Sequence, residues 1–167
     1  CKCLSEKTGT TYVLPAEAQW EYACRSGSAM KFGVTDNPDE MGEYAWYDEN
    51  SEQATYPVAQ KKPNAYGLYD MQGNVSEWVQ DFYSPTAYAE ASAEAPLKNP
   101  TGPESGDVHV ARGGSYEAYV EDLRCAQRFY EQDWWRFGDP QVPKSRWWLP
   151  EMDIIGFRIA LIEDSID

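Results

Sequence analysis

The 167-residue chain sets 28 acidic against 14 basic residues, a formal net charge of −14. That balance excludes nucleic acid and anionic lipid, which are held chiefly through Lys and Arg, and no stretch approaches the roughly 20 apolar residues of a membrane span. Twelve Gly and eleven Pro beside seven Trp and twelve Tyr predict one domain of short elements and aromatic-lined loops, an α+β fold.

In chain order, residues 4–8 read as the end of a helix with Gly9 as its stop signal. Cys1 opens the chain with neither Met nor a signal sequence, so preceding sequence is expected to be missing. Residues 11–14 are β-branched and aromatic, a brief strand. Pro15 introduces a helix over 16–25, in which Trp20, Ala23 and Cys24 share one face. Glu17 in its first turn and Arg25 in its last suit the helix dipole. Ala16 takes the cap position without a side-chain oxygen, where Ser or Thr would contribute about 1 kcal/mol, so this helix must lean on packing.

Residues 31–60 read as loop, with a turn cluster at 36–40, and residues 63–71 and 73–79 interleave turn formers with aromatics. Residues 87–95 are Ala- and Glu-rich, a weak surface helix or an insertion. Residues 108–112 form a strand running into the Gly113-Gly114 turn, and residues 123–126 begin a further strand or helix. Residues 133–150 carry four Trp and three Pro, too irregular for a helix or a central strand. Residues 154–162 are the strongest strand in the chain, and 163–167 form a polar tail.

Cys1, Cys3, Cys24 and Cys125 form no CxxC pair, and with His109 alone they make a poor zinc set. A Cys1–Cys3 ring would be strained. Cys24 with Cys125 is the better bridge, which would imply an oxidising compartment; two buried free thiols are the other reading.

Five segments, in order, carry a family resemblance. Leu14-Pro15-Ala16-Glu17-Ala18-Gln19-Trp20-Glu21-Tyr22 resembles a Leu-Pro-Thr-Glu-Ala-Glu-Trp-Glu-Tyr helix, and Pro63-Asn64-Ala65-Tyr66-Gly67-Leu68-Tyr69 a Pro-Asn-x-x-Gly-Leu-Tyr turn. Gly73-Asn74-Val75-Ser76-Glu77-Trp78 is similar to Gly-Asn-x-Trp-Glu-Trp, Arg112-Gly113-Gly114-Ser115-Tyr116 to Arg-Gly-Gly-Ser-Trp/Tyr, and Gly156-Phe157-Arg158 to a closing Gly-Phe-Arg strand. Together they resemble the sulfatase-modifying-factor family, which includes the formylglycine-generating enzymes. The match runs over 1–162 and corresponds to the later part of the family domain, without its opening strands and helix. The resemblance implies a C-type-lectin-like fold.

It also implies chemistry that this chain lacks. The family's oxidases convert a sulfatase cysteine to formylglycine with copper held by two cysteines shortly after Gly-Gly-Ser-Tyr, because thiolates favour Cu(I). Those positions fall in Glu117-Ala118-Tyr119-Val120-Glu121-Asp122, none of them Cys, and Ser76 stands where active relatives carry Trp. Copper is therefore not expected. The reading is a non-catalytic binding or scaffold module in an extracytoplasmic setting. The alternative is a formylglycine-generating oxidase, or another enzyme of the superfamily, using non-cysteine groups around a groove of Ser76, Ser115, Tyr116 and Arg124. A branch using iron held by three histidines is excluded with His109 alone, which reads as structural. The resemblance further implies a Cys24–Cys125 bridge and a structural calcium loop of Asp70, Gly73, Val75 and Glu77, with hard carboxylate and carbonyl oxygens. The Trp-rich stretch looks like the signature of relatives without the cysteine pair, and reads as packing over the sheet ahead of a sugar or peptide site. Partners left open are a protein or carbohydrate ligand, a larger assembly, or a missing N-terminal segment.

Overall fold

The computed structural model describes residues 1–89, 95–132, 135 and 153–162. Helix α1 (Lys2–Thr8) ends at Gly9, whose φ of 73° lets its N–H reach Ser5 O. Strand β1 (Thr11–Val13) leads into helix α2 (Glu17–Arg25). Strands β2 (Ser76–Phe82), β3 (His109–Arg112), β4 (Arg128–Tyr130), β5 (Ile155–Phe157) and β6 (Ala160–Ile162) follow. Short 3₁₀ turns at Pro38–Glu43 and Val120–Leu123 punctuate the loops. The result is the expected α+β architecture of short strands and few helices.

A four-stranded sheet in the order β4-β3-β2-β5 forms the centre. Strand β3 runs antiparallel to β2 with Glu77 opposite Arg112 and Trp78 opposite Ala111. Strand β5 runs parallel to β2 with Ser76 opposite Ile155. Strands β1 and β6 form a separate antiparallel ribbon. Residues 154–162 are therefore not the single strand expected of them. The run breaks at Arg158, whose side chain turns to Glu77 and to the carbonyls of Tyr69 and Asp70, and its halves join different sheets.

Strand β2, the longest, was hidden in a patch that reads as turns. Its α2-facing residues are Glu77, Val79 and Asp81, so two acids occupy the face that apolar alternation would mark. Their burial is made tolerable by partners the linear sequence does not show. Asp81 also resolves the missing cap of α2: its Oδ2 accepts the Glu17 N–H at 2.7 Å, while Gln19 Oε1 accepts that of Ala16 at 2.9 Å. The cap comes from across the fold.

One apolar cluster joins Trp20, Cys24, Met71, Val79, Val110 and Cys125 between helix and sheet. A second, of Phe32, Met41, Ala45, Tyr47 and Leu123, packs the long loop that follows α2. Of the stretch 87–95, expected as a weak surface helix or an insertion, residues 87–89 are turns and Ala95 is a bend. Residues 90–94, the Trp-rich stretch apart from Trp135, and the polar tail lie outside the described residues.

Candidate functional site

The centre of the molecule is an ionic hub between α2 and the sheet. Arg112 on β3, fully buried, donates from Nη1 to Glu17 Oε1 at 3.0 Å and from Nη2 to Glu21 Oε2 at 2.5 Å and to Cys125 O. Arg128 on β4 closes a two-toothed fork on Glu17, 2.7 Å from Nε to Oε1 and 2.9 Å from Nη2 to Oε2. Tyr88 OH adds a third donor residue to the same carboxylate at 3.2 Å. Burial and the neighbouring acids raise the Tyr88 phenol above its ordinary value, and burial does the same to the Asp81 carboxyl. Glu17, Arg112 and Arg128 each have an opposite charge in contact, which is the condition for keeping them out of water.

A second ionic centre lies where the calcium loop was expected. Glu77 Oε2 accepts Trp20 Nε1 at 2.7 Å and Arg158 Nε at 2.6 Å, and Oε1 accepts Arg158 Nη2 at 2.8 Å. Three N–H donors thus occupy a carboxylate with about four lone-pair sites. Asp70 Oδ2 accepts the Ala59 N–H at 2.7 Å, while Asp70 Oδ1 is buried without a hydrogen-bond partner. That orphaned oxygen suits a hard cation. Gly73, at φ 71°, is required for a reason the sequence did not suggest: a Cβ there would sit 2.2 Å from Trp46 O.

The positions expected to form a groove are placed unevenly. Ser76 is buried, and its N–H donates to Ile154 O at 2.8 Å, so the 154–155 segment lies across it. Ser115 is buried, and its Oγ accepts the N–H of Glu117 at 3.2 Å. Tyr116 is buried too; desolvation and a hydrogen bond with Asp153 push its phenol up to about 12. Arg124 is exposed and folds back onto Glu121 O and Gln127. The structure therefore brings Ser76, Ser115 and Tyr116 into the packed interior and directs Arg124 to its own turn.

Residues 117–122, where the resemblance puts a copper-binding pair, form a surface loop and 3₁₀ turn. Their side chains offer carboxylates, a phenol and aliphatic groups, which do not fit Cu(I). Cys24 and Cys125 do face each other, their Sγ atoms 2.6 Å apart, but both are fully buried, and no substrate can reach them. Burial drives the Cys24 thiol well above its ordinary value. Among the described residues no group of three or more His, Cys, Asp or Glu side chains could hold a metal ion. None of their helices is long and apolar enough to cross a membrane.

One cavity was not anticipated: an open space of about 430 Å³ lined by Cys1, Leu14, Trp78, Val79, His109, Glu131 and Phe157. His109 lies in a strand as expected, its exposed ring 4.3 Å from that of Phe82 and 6.5 Å from that of Trp78. Trp135 packs edge-on against Trp78 at 5.6 Å, the packing role expected of the Trp-rich stretch at its one described residue. Arg112, Arg128 and Arg158 were also missed as centres of organisation; two of them sit in quoted motifs, but sequence gives no partner for a guanidinium.

Comparison with known proteins gives concordant results. Residues 1–135 match the model of the sulfatase-modifying factor enzyme 1-like domain. The chain is 40% identical over 116 residues to the serine/threonine-protein kinase pkn1 of Chlamydia pneumoniae, covering 69% of this chain and 18% of that protein. It is 36% identical over 141 residues to the formylglycine-generating enzyme of Streptomyces coelicolor, covering 69% of this chain and 40% of that protein. Among solved structures, Treponema denticola variable protein 1 superposes with a TM-score of 0.71 at 31% identity, over 90% of this chain and 47% of its own. PvdO from Pseudomonas aeruginosa gives 0.72 at 29% identity, over 96% of this chain and 56% of its own. The chain thus spans less than two thirds of each of these proteins.

Proposed function

Because the chain belongs to the sulfatase-modifying factor enzyme 1-like domain family, we propose that it acts as a non-catalytic binding or scaffold module of that fold in an extracytoplasmic protein or complex. One observation carries the reading: the loop at 117–122, which in the oxidases would present paired thiols, presents none, and the neighbouring Ser76, Ser115 and Tyr116 are buried. A reacting peptide would need both an open groove and a soft ligand set. Among the described residues Ser115 shows no hydrogen bond to a base, which weighs against an alternative nucleophile. The test is direct. The protein loaded with Cu(I) and incubated with oxygen and a Cys-x-Pro-x-Arg peptide is expected to yield no aldehyde by mass spectrometry; aldehyde formed in proportion to protein added would overturn the proposal.

The scaffold reading includes two stabilising devices, a Cys24–Cys125 bridge and a structural calcium ion. For calcium, Asp70 Oδ1 supplies an open carboxylate oxygen and Glu77 one remaining lone pair, with the Gly73 and Val75 carbonyls as further ligands. The Arg158 guanidinium beside Glu77 opposes a second cation, so affinity belongs in the weak extracellular range, about 0.1–1 mM. At about 10 mM calcium the folded state then gains about 1.4–2.7 kcal/mol, a rise in Tm of about 3–10 °C for a domain of this size. Thermal unfolding in calcium against EDTA, with magnesium as control, measures it. Asp70→Asn is expected to remove the response, and identical Tm values in calcium and EDTA would exclude the ion.

A further inference from the structure

Residues 52–60 form a strap with few holds. All of them are exposed except Tyr56, and Val58 is 76% exposed. Among the described residues no backbone-to-backbone hydrogen bond ties the strap to the fold beyond Ser51 at its root. Glu52, Gln53 and Ala59 take left-handed φ values of 52°, 58° and 63°, a region unfavourable to any residue with a Cβ. Such strain persists only where the surroundings impose it. Here side chains impose it: Asn74 holds Tyr56, and Asp70 Oδ2 accepts the Ala59 N–H at 2.7 Å.

The hold on Tyr56 is built as one for a peptide. Asn74 Oδ1 accepts the Tyr56 N–H at 2.9 Å, and Nδ2 donates to the Tyr56 carbonyl at 3.0 Å. That two-point match suits the backbone of any residue but proline. The Tyr56 ring stacks on Trp46 at 3.9 Å and 11°, and Pro57 keeps Tyr56 extended. The holding groups are fixed without the strap. Asn74 is buried, its N–H donates to Trp46 O at 2.7 Å, and its carbonyl accepts the Tyr116 N–H at 2.9 Å. We propose that Trp46 and Asn74 form a binding site for an extended peptide with an aromatic residue before proline, and that Tyr56 occupies it as an internal competitor. The partner's ring stacks on the indole while its N–H and C=O take the Asn74 amide. Strain in the strap favours the exchange. Its tether opposes it, because a segment of the same chain competes at millimolar effective concentration. The proposal rests on the binding-module reading and names the chemistry of its partner.

The experiment adds a blocked peptide with the sequence of residues 55–59 to the isotope-labelled gene product. Tyr56→Gly removes the internal ring, so it is expected to bind the peptide at least about tenfold more tightly than the native protein does. The Asn74 side-chain amide signals should shift on binding, and a peptide with Ala in place of Tyr should leave them still. In the native protein, millimolar peptide should speed hydrogen exchange at the Tyr56 and Ala59 amides several-fold, because displacement takes them from Asn74 and Asp70. The β2 amides should not change. This exchange measurement decides the matter even if Tyr56→Gly fails to fold. Equal affinity for the two proteins, unmoved Asn74 signals, or unchanged exchange at 56 and 59 overturns the inference. Aldehyde in the copper assay would remove the non-catalytic reading and leave these measurements as they stand.

Discussion

Glu17→Ala is expected to lower the free energy of unfolding by about 3–5 kcal/mol, because it leaves buried positive charge without its carboxylate. Arg112 is fully buried and Arg128 mostly so, and both donate to Glu17. With the carboxylate gone, Arg112 keeps only Glu21 and the Cys125 carbonyl, and Arg128 keeps the Ser84 carbonyl. The loss is a large fraction of a domain's usual stability, about 5–15 kcal/mol, so the variant should unfold early in urea. Replacing both partners, Glu17→Leu with Arg112→Met, is expected to cost less than the sum of the two single changes, by about 0.5–3 kcal/mol. Urea titrations of the four proteins measure the coupling. Additive losses would mean that the pair contributes nothing as a pair.

The proposed Cys24–Cys125 bridge would have an effect of similar size. Joining residues 101 apart removes chain entropy from the unfolded state worth about 4.7 kcal/mol in the loop-closure model. Reductant should therefore lower the unfolding free energy by about 4 kcal/mol, and the Cys24→Ala, Cys125→Ala double variant should be weakened and indifferent to reductant. A thiol count in urea decides the premise. Of four cysteines, two should titrate, Cys1 and Cys3, which are exposed. Four titratable thiols and a reductant-independent urea midpoint would show that the pair is reduced, and the oxidising compartment inferred from it would lose its support.

Both effects depend on residues that could be read only in part from sequence. Cys24 and Cys125 were legible as a pair because few cysteines compete and the motifs around them resemble a family. The hub was not. Glu17 looked like a first-turn acid suited to a helix dipole, an exposed role worth tenths of a kcal/mol, whereas it is 1% exposed and holds two arginines. The same blindness concealed β2: Glu77 and Asp81 break the apolar alternation, and only Arg158, Trp20 and the start of α2 explain why they can be buried. Within the candidate groove, sequence placed Ser76, Ser115, Tyr116 and Arg124 in one set, and the fold buries three and exposes the fourth.

By itself the sequence determined what depends on local chain chemistry. It specified the ends of α1 and α2, the glycine turn after β3, the α+β class, and the absence of thiols from residues 117–122, because propensity, turn residues and element identity are carried by neighbours in the chain. Tertiary structure alone decided which acids pair with which arginines and where residues 154–162 divide between two sheets. Those outcomes are set by groups as far apart as Glu17 and Arg128, 111 positions, and a buried charge is tolerated only where its partner comes from elsewhere in the fold.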